Sequence, residues 1–408
     1  MLFLILLLGA TATELWLANR HLRHVTRGRR SVPSPFRGKI SLAAHRKAAD
    51  YTVARTRFSM VEAVYGTSVL MAWTVGGGLN LLDNAWRAAG FSPLATGTLF
   101  ILSVFLIGAL VDLPFTIYRT FGIETRFGFN RMSAALFAAD TLRKLLILFV
   151  LGGPVIAAAL WFMQSSGEIW WLYVWALWIV LSLTMIWIYP AWIAPLFNRF
   201  KPLGASRLRK RIYALLQRTG FRSRGIYVVD SSKRTTHGNA YFTGLGRSKR
   251  IVFFDTLLHT LNAREIEAVL AHELGHFKLA HIVKRMALMF VTILGALALL
   301  GWLATQSWFY HGLGMQQPSP YAALTLFVMV GPVFTFFLQP LFAWGSRKHE
   351  YEADHFAAKT TSARALASAL VKLYRDNAAT LTPDPVYSAF YDSHPPALRR
   401  IRRLLGEI

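Results

Sequence analysis

Residues 272–276 read His-Glu-Leu-Gly-His, an H-E-x-x-H motif within a stretch of helical pattern. On a helix, side chains four apart lie one above the other, so His272 and His276 can converge on one ion while Glu273 projects beside it. Two imidazoles and a carboxylate in that arrangement suit metal-assisted hydrolysis, with the ion as Lewis acid and Glu273 as general base for water. A catalytic zinc takes a third protein ligand and leaves one position open. The chain has no cysteine, which excludes disulfides, thiol nucleophiles, iron–sulfur clusters and thiolate zinc sites, so the third ligand is a carboxylate or a histidine. The strongest candidates are Glu350 and Asp354 in SRKHEYEAD (346–354). Their i, i+4 spacing lets one bind metal while the other buttresses a ligand histidine. Glu352 lies about 200° around the same helix from Glu350 and reads as a solvated charge. His281, His349 and His355 read as interfacial or surface histidines.

The elements that must position these groups are set by composition. Of 408 residues, 54% are hydrophobic and only 16% charged, with 13 Trp and 29 Phe, and the mean hydropathy is +0.38. A soluble surface has nowhere to put that much apolar side chain, so the chain is expected to be an integral membrane protein. A bilayer core needs about 20 apolar residues per helix. Seven segments meet or approach that length: 1–18, 58–82, 94–118, 145–163, 170–193, 286–308 and 321–344. The first lacks the basic n-region and A-x-A-like cleavage site of a secretory signal, so it is expected to be retained as a helix.

The charge tests this assignment. Lys and Arg total 45 against 20 Asp and Glu, a formal net charge of +25. In a soluble protein that excess points to nucleic acid; here its distribution decides. Alternate connections, residues 19–57, 119–144, 194–285 and 345–408, hold 11, 5, 18 and 10 basic residues, which is 44 of the 45. By the positive-inside rule this set is cytoplasmic and the N-terminus is outside. The excess thus marks topology, nucleic acid is not an expected partner, and anionic lipid headgroups are the expected neighbours of the basic loops. The two halves of the candidate metal site, at either end of the sixth and seventh spans, then fall on one membrane face.

Four parts follow: a five-helix membrane region (1–193), an insertion carrying the H-E-x-x-H helix (194–285), a two-helix membrane hairpin (286–344) and a C-terminal segment with the third ligand (345–408). Within the insertion, 207–219 reads as an amphipathic helix ended by Gly220. GIYVVD (225–230), NAYFTG (239–244) and RIVFF (250–254) read as short strands of a small β element. Residues 261–285 are expected to form one helix, with Asn262 as N-cap and Glu265 and Glu267 near its positive end.

These residues resemble the integral-membrane zinc metalloproteases that include the type I CAAX prenyl endopeptidases and, more distantly, the HtpX-type quality-control proteases. The shared core is VLAHELGHFKLAH (269–281) with SRKHEYEADHFA (346–357). The similarity to the prenyl branch extends through ELWLANRHLRH (14–24), LPFTIYRTFGIETRFGFN (113–130), HGNAYFTG (237–244), RIVFFDTLL (250–258) and SHPP (393–396). The resemblance implies an all-α polytopic membrane fold, with seven transmembrane helices around an intramembrane chamber and a cytoplasmic gluzincin-type zinc protease domain containing a small β element. It implies one zinc ion per chain held by His272, His276 and Glu350, with Glu273 as general base, Asp354 orienting a ligand histidine, Asn239 binding substrate backbone and His394 stabilising the oxyanion. Glu62 and Asp112, acidic groups inside spans, fit either a chamber lining or helix–helix contacts.

The implied activity is endopeptidase cleavage of a polypeptide near a prenylated C-terminus. A bacterial protease clearing damaged membrane proteins, with no prenyl requirement, would use the same chemistry. A transporter or lipid-binding protein with a vestigial zinc site is a third reading, which an intact ligand set and base count against. Thirty-three Arg against 12 Lys favour a GC-rich bacterial source and hence the inner (cell) membrane with the site facing the cytoplasm; a eukaryotic source would imply the endoplasmic reticulum membrane.

Overall fold

A computed structural model of the chain describes residues 1–244 and 249–407; residues 245–248 of the insertion and Ile408 lie outside the described residues. Among the described residues, six helices are long and apolar enough to cross a membrane: Leu2–Gly28, Pro93–Glu124, Ala134–Ser165, Gly167–Phe197, His281–Leu303 and Pro320–Thr360. The pair Leu42–Trp73 and Gly78–Ala88, bent by 46°, passes the same test when taken together as one broken span. The expected span 58–82 therefore crosses a break. Gly77, with φ of +80°, makes the turn there, a conformation that glycine adopts without a Cβ clash.

One end of the bundle packs around Phe100, Leu160, Tyr310 and Tyr321, all buried. Asp83 is fully buried there and accepts hydrogen bonds from Tyr321 Oη at 2.5 Å and Arg87 Nε at 2.8 Å. In the most apolar windows of Ala134–Ser165, Gly167–Phe197 and His281–Leu303 only 11% of the residues are buried, whereas a helix packed on one side buries a stripe of about 100° or more.

The insertion contains a four-stranded sheet of order β1-β2-β4-β3, from β1 (Phe200–Pro202), β2 (Gly225–Val229), β3 (Ala240–Thr243) and β4 (Arg250–Phe254). β2 and β4 are parallel, and the other pairs are antiparallel. Strand β1 has no counterpart in the sequence reading: three residues ending in proline carry no alternation to read. The helix Arg207–Thr219 forms as expected, closed by Gly220 at φ of +64°. Its buried Ile212, Leu215 and Leu216 share one core with Ile251 and Phe253 of β4, Leu270 and Leu274 of the H-E-x-x-H helix, Leu366 and Leu370 of helix Ala363–Asp376, and Ile401 near the C-terminus. That core fixes the site's two halves to each other.

The expected single helix 261–285 is two helices. Ala263–Lys278 begins with a capping box, in which Asn262 accepts from the backbone of Glu265 and Glu265 accepts from the Asn262 N–H. It stops at Leu279, Ala280 takes a left-handed φ of +55°, and the sixth span starts anew at His281.

Candidate metal centre

The H-E-x-x-H helix lies against the helix Gln339–Thr360 that continues the seventh span. Gly275 permits their close approach: a Cβ there would stand 3.0 Å from Ala353 Cα and 3.2 Å from Ala353 O. Across this contact, one ligand atom each from His272, His276 and Glu350 falls within 4.8 Å of the others. His272 Nε2 and His276 Nε2 are 3.3 Å apart and lie 3.4 and 3.2 Å from the Glu350 carboxylate oxygens.

The donor set suits a divalent cation: two imidazole nitrogens and one carboxylate, with Glu350 buried and its Oε2 making no hydrogen bond. Buried polar atoms without partners are rare in folded proteins, and this one stands 3.4 Å from His272 Nε2, while His276 Nε2 lies against the other oxygen, Oε1. Burial alone would lower the His272 pKa, but Asp354 and Glu350 outweigh it and hold the imidazole at about 9 without metal.

Around the three groups stands a buried scaffold. His272 Nδ1 lies 2.9 Å from Asp354 Oδ1. Asp354 in turn accepts from Arg400 Nε at 2.8 Å and Nη2 at 2.6 Å, and Arg400 Nη1 lies 3.4 Å from Glu350 Oε2. Sequence reading placed Asp354 beside a ligand histidine but singled out no residue of the C-terminal segment beyond SHPP (393–396). The available signal was a helical stripe, Ala397, Arg400 and Ile401, all buried, on helix Ala397–Leu404.

Glu273, beside His272 on the same helix, is part-buried. Burial raises its pKa, and His272 and His276 pull it part of the way back. His394 also reaches the site, Nε2 3.4 Å from Glu350 Oε1 and Nδ1 3.0 Å from Ser393 Oγ. It borders a cavity of about 300 Å³ with Tyr374, Tyr391 and Asp392.

Asn239 is exposed and immediately precedes β3, which packs beside the H-E-x-x-H helix. Its carbonyl accepts from Phe254 N at 3.0 Å and its side-chain Oδ1 from Ala240 N at 2.8 Å. Since β3 pairs only with β4, its other edge is unpaired among the described residues. The loop before it is tied to the membrane region: His237 stacks on Phe129 with centroids 4.6 Å apart, its Nε2 is 3.5 Å from Glu124 Oε2, and Thr236 N donates to Phe129 O at 3.2 Å. Arg234 clamps Asp140 through Nε at 2.9 Å and Nη2 at 3.1 Å. The 113–130 segment, noted in the sequence only for its resemblance, thus anchors the strand beside the site.

His281 is completely buried, against the expectation of a surface or interfacial histidine, and Glu352 pairs with it at 2.9 Å rather than standing free in solvent.

A polytopic membrane bundle with an H-E-x-x-H helix and a converging glutamate defines an integral-membrane metallopeptidase. Residues 21–199 match the family described as CAAX prenyl protease N-terminal, five membrane helices, and residues 202–408 match Peptidase family M48. The chain belongs to peptidase family M48. Among its relatives, the CAAX prenyl protease 1 homolog of Arabidopsis thaliana is 39% identical over 76% of this chain and 73% of its own length. That of Oryza sativa subsp. japonica is 34% identical over 92% and 90%. The crystal structure of S. mikatae Ste24p superimposes with a TM-score of 0.91 at 29% identity, covering 98% of this chain and 97% of that one.

Proposed function

We propose that the protein is a zinc endopeptidase that cleaves polypeptides near a prenylated C-terminus. In this reading His272, His276 and Glu350 hold one zinc ion, Glu273 is the general base, Asp354 orients His272, His394 stabilises the oxyanion and Asn239 binds substrate backbone. The observation that carries it is the convergence of two imidazoles on a buried glutamate with an unpartnered oxygen. The prenyl assignment is supported by relatives named CAAX prenyl protease 1 that match over most of the chain.

The metal, when bound, supplies the Lewis acidity that polarises the scissile carbonyl and makes a water acidic. Glu273 takes the proton from that water as its oxygen bonds to the carbonyl carbon, then passes it to the nitrogen as the C–N bond breaks, leaving a carboxylate and an amine. The elevated Glu273 pKa makes it a better proton acceptor than an exposed carboxylate. His394 donates toward the oxyanion from Nε2. An extended substrate adds to the free edge of β3, with Asn239 at one end of the run.

The four-part organisation serves this chemistry: 1–193 and 286–344 build the membrane body, 194–285 and 345–408 the protease site. Asp112 is exposed on a span, where lipid contact would be costly, and Glu62 pairs with Arg119. Together with the sparse burial of three spans, this supports a water-filled chamber enclosed by the helices. The basic loops support a site at the cytoplasmic face, next to anionic headgroups; the arginine-rich composition supports a bacterial cell membrane, the endoplasmic reticulum being its eukaryotic equivalent.

Purified, zinc-loaded protein given paired farnesylated and unmodified peptides is expected to cut the farnesylated one preferentially, with the site read by mass spectrometry. Equal cutting would favour a quality-control protease. Glu273→Gln is expected to lower turnover by about 10²–10⁴-fold with zinc still bound; normal proteolysis by that variant would sink the assignment.

A further inference from the structure

His272 has a buried carboxylate behind it; the support behind His276 comes from the break in the chain. In an unbroken helix residue 281 would lie about 140° around the axis from His276. Instead Ala280, at φ of +55°, ends the H-E-x-x-H helix and starts the next one at His281. A left-handed alanine is strained, and such outliers persist where surrounding structure requires them. The turn folds His281 back onto the site. Its Nδ1 stands 3.0 Å from His276 Nδ1, its Nε2 2.9 Å from Glu352 Oε2, and its ring stacks on His349 with centroids 4.1 Å apart.

The proton assignment is forced by the geometry. His276 Nε2 faces Glu350 and His272, so a ligand lone pair there leaves the proton on Nδ1. His281 Nδ1 must then accept, and its own proton sits on Nε2, where Glu352 accepts it. No donor opposes a donor anywhere along the chain of three residues.

We propose that His281 and Glu352 are positioning residues for His276, fixing its tautomer and ring orientation as Asp354 and Arg400 do for His272. The two supports differ in kind. His272 is backed by a buried carboxylate–guanidinium pair, whereas His276 is backed by a neutral imidazole and a carboxylate that is 38% exposed. His281, His349 and Glu352 are also close enough to be read as a second metal site. The stacking argues otherwise: with 13° between ring planes, the in-plane lone pairs of His281 and His349 run side by side instead of converging on one point.

The inference rests on His276 being a metal ligand, which loss of zinc binding in His276→Ala tests separately. Its own test is zinc affinity of the full-length protein in nanodiscs, by competition with a chromophoric chelator, alongside melting of the metal-free protein. His281→Phe keeps a ring but loses the acceptor, and should weaken zinc binding about 10–100-fold with metal-free melting unchanged. His281→Asn, whose Oδ1 can replace Nδ1 as acceptor, should recover most of that loss. Wild-type affinity in folded His281→Phe would overturn the proposal. So would a loss that His281→Asn fails to recover, which marks a merely structural role, or a second bound zinc that His281→Phe abolishes. If His281→Phe does not fold, Glu352→Ala serves: weakened zinc binding supports the proposal and unchanged affinity overturns it.

Discussion

Arg400 and Asp354 show how a side chain far from the motif sets the motif's geometry. Both are buried, and their two hydrogen bonds leave Asp354 able to hold His272 Nδ1. Replacing Arg400 by Met leaves that carboxylate buried and uncompensated, and the expected cost is about 3–5 kcal/mol, seen as a lower melting temperature in detergent. Asp354→Asn keeps the shape but loses the charge, and zinc affinity should fall about 10–100-fold; a chelator titration reads this directly. The motif residues themselves were legible, because i, i+4 spacing is a property of any helix. Arg400 was not, because its meaning depends on Asp354, 46 residues away.

At the scale of elements, the site depends on two helix features. Gly275 sits where the H-E-x-x-H helix crosses Gln339–Thr360, so Gly275→Ala should push Glu350 away from the histidines and cost about 1–3 kcal/mol through overpacking, with weaker zinc binding measured alongside. The helix start is pinned by Glu265, which is buried and accepts from Lys372 Nζ at 2.8 Å, Ser368 Oγ at 2.7 Å and Asn262 N at 2.9 Å. Burial alone would raise its pKa, but these bonds outweigh it and hold the value below the ordinary 4.5. A depressed folded-state pKa stabilises the protein fully above the unfolded value and progressively less as pH falls through the folded one. The stability lost in Glu265→Gln should therefore be about 1–3 kcal/mol at neutral pH and shrink once pH drops below 4.5; a difference constant down to pH 3 would contradict the assignment. Capping and strand patterns made most of the insertion readable. The break at Ala280 was not, since Leu279 and Ala280 carry no glycine or proline to announce it, and the turn is held by His281 packing back on the site.

For the whole molecule, topology and site stand or fall together. The chain lacks cysteine, so single cysteines introduced at exposed Arg222 and Gln317 report sidedness without a background. In sealed right-side-out vesicles a membrane-impermeant maleimide should label Gln317→Cys and spare Arg222→Cys; the reverse pattern would invert the orientation. By itself the sequence determined the membrane class, the candidate spans, the H-E-x-x-H pair and the Glu350–Asp354 candidates. Each follows from local periodicity, composition or the count of charges between spans. Only the tertiary structure decided that Arg400 locks Asp354, that Phe129 and Glu124 anchor the strand beside the site, and that His281 and Glu352 stand behind His276. These are contacts between segments distant in sequence or turned by a strained residue, and a one-dimensional pattern has no term for the packing that creates them.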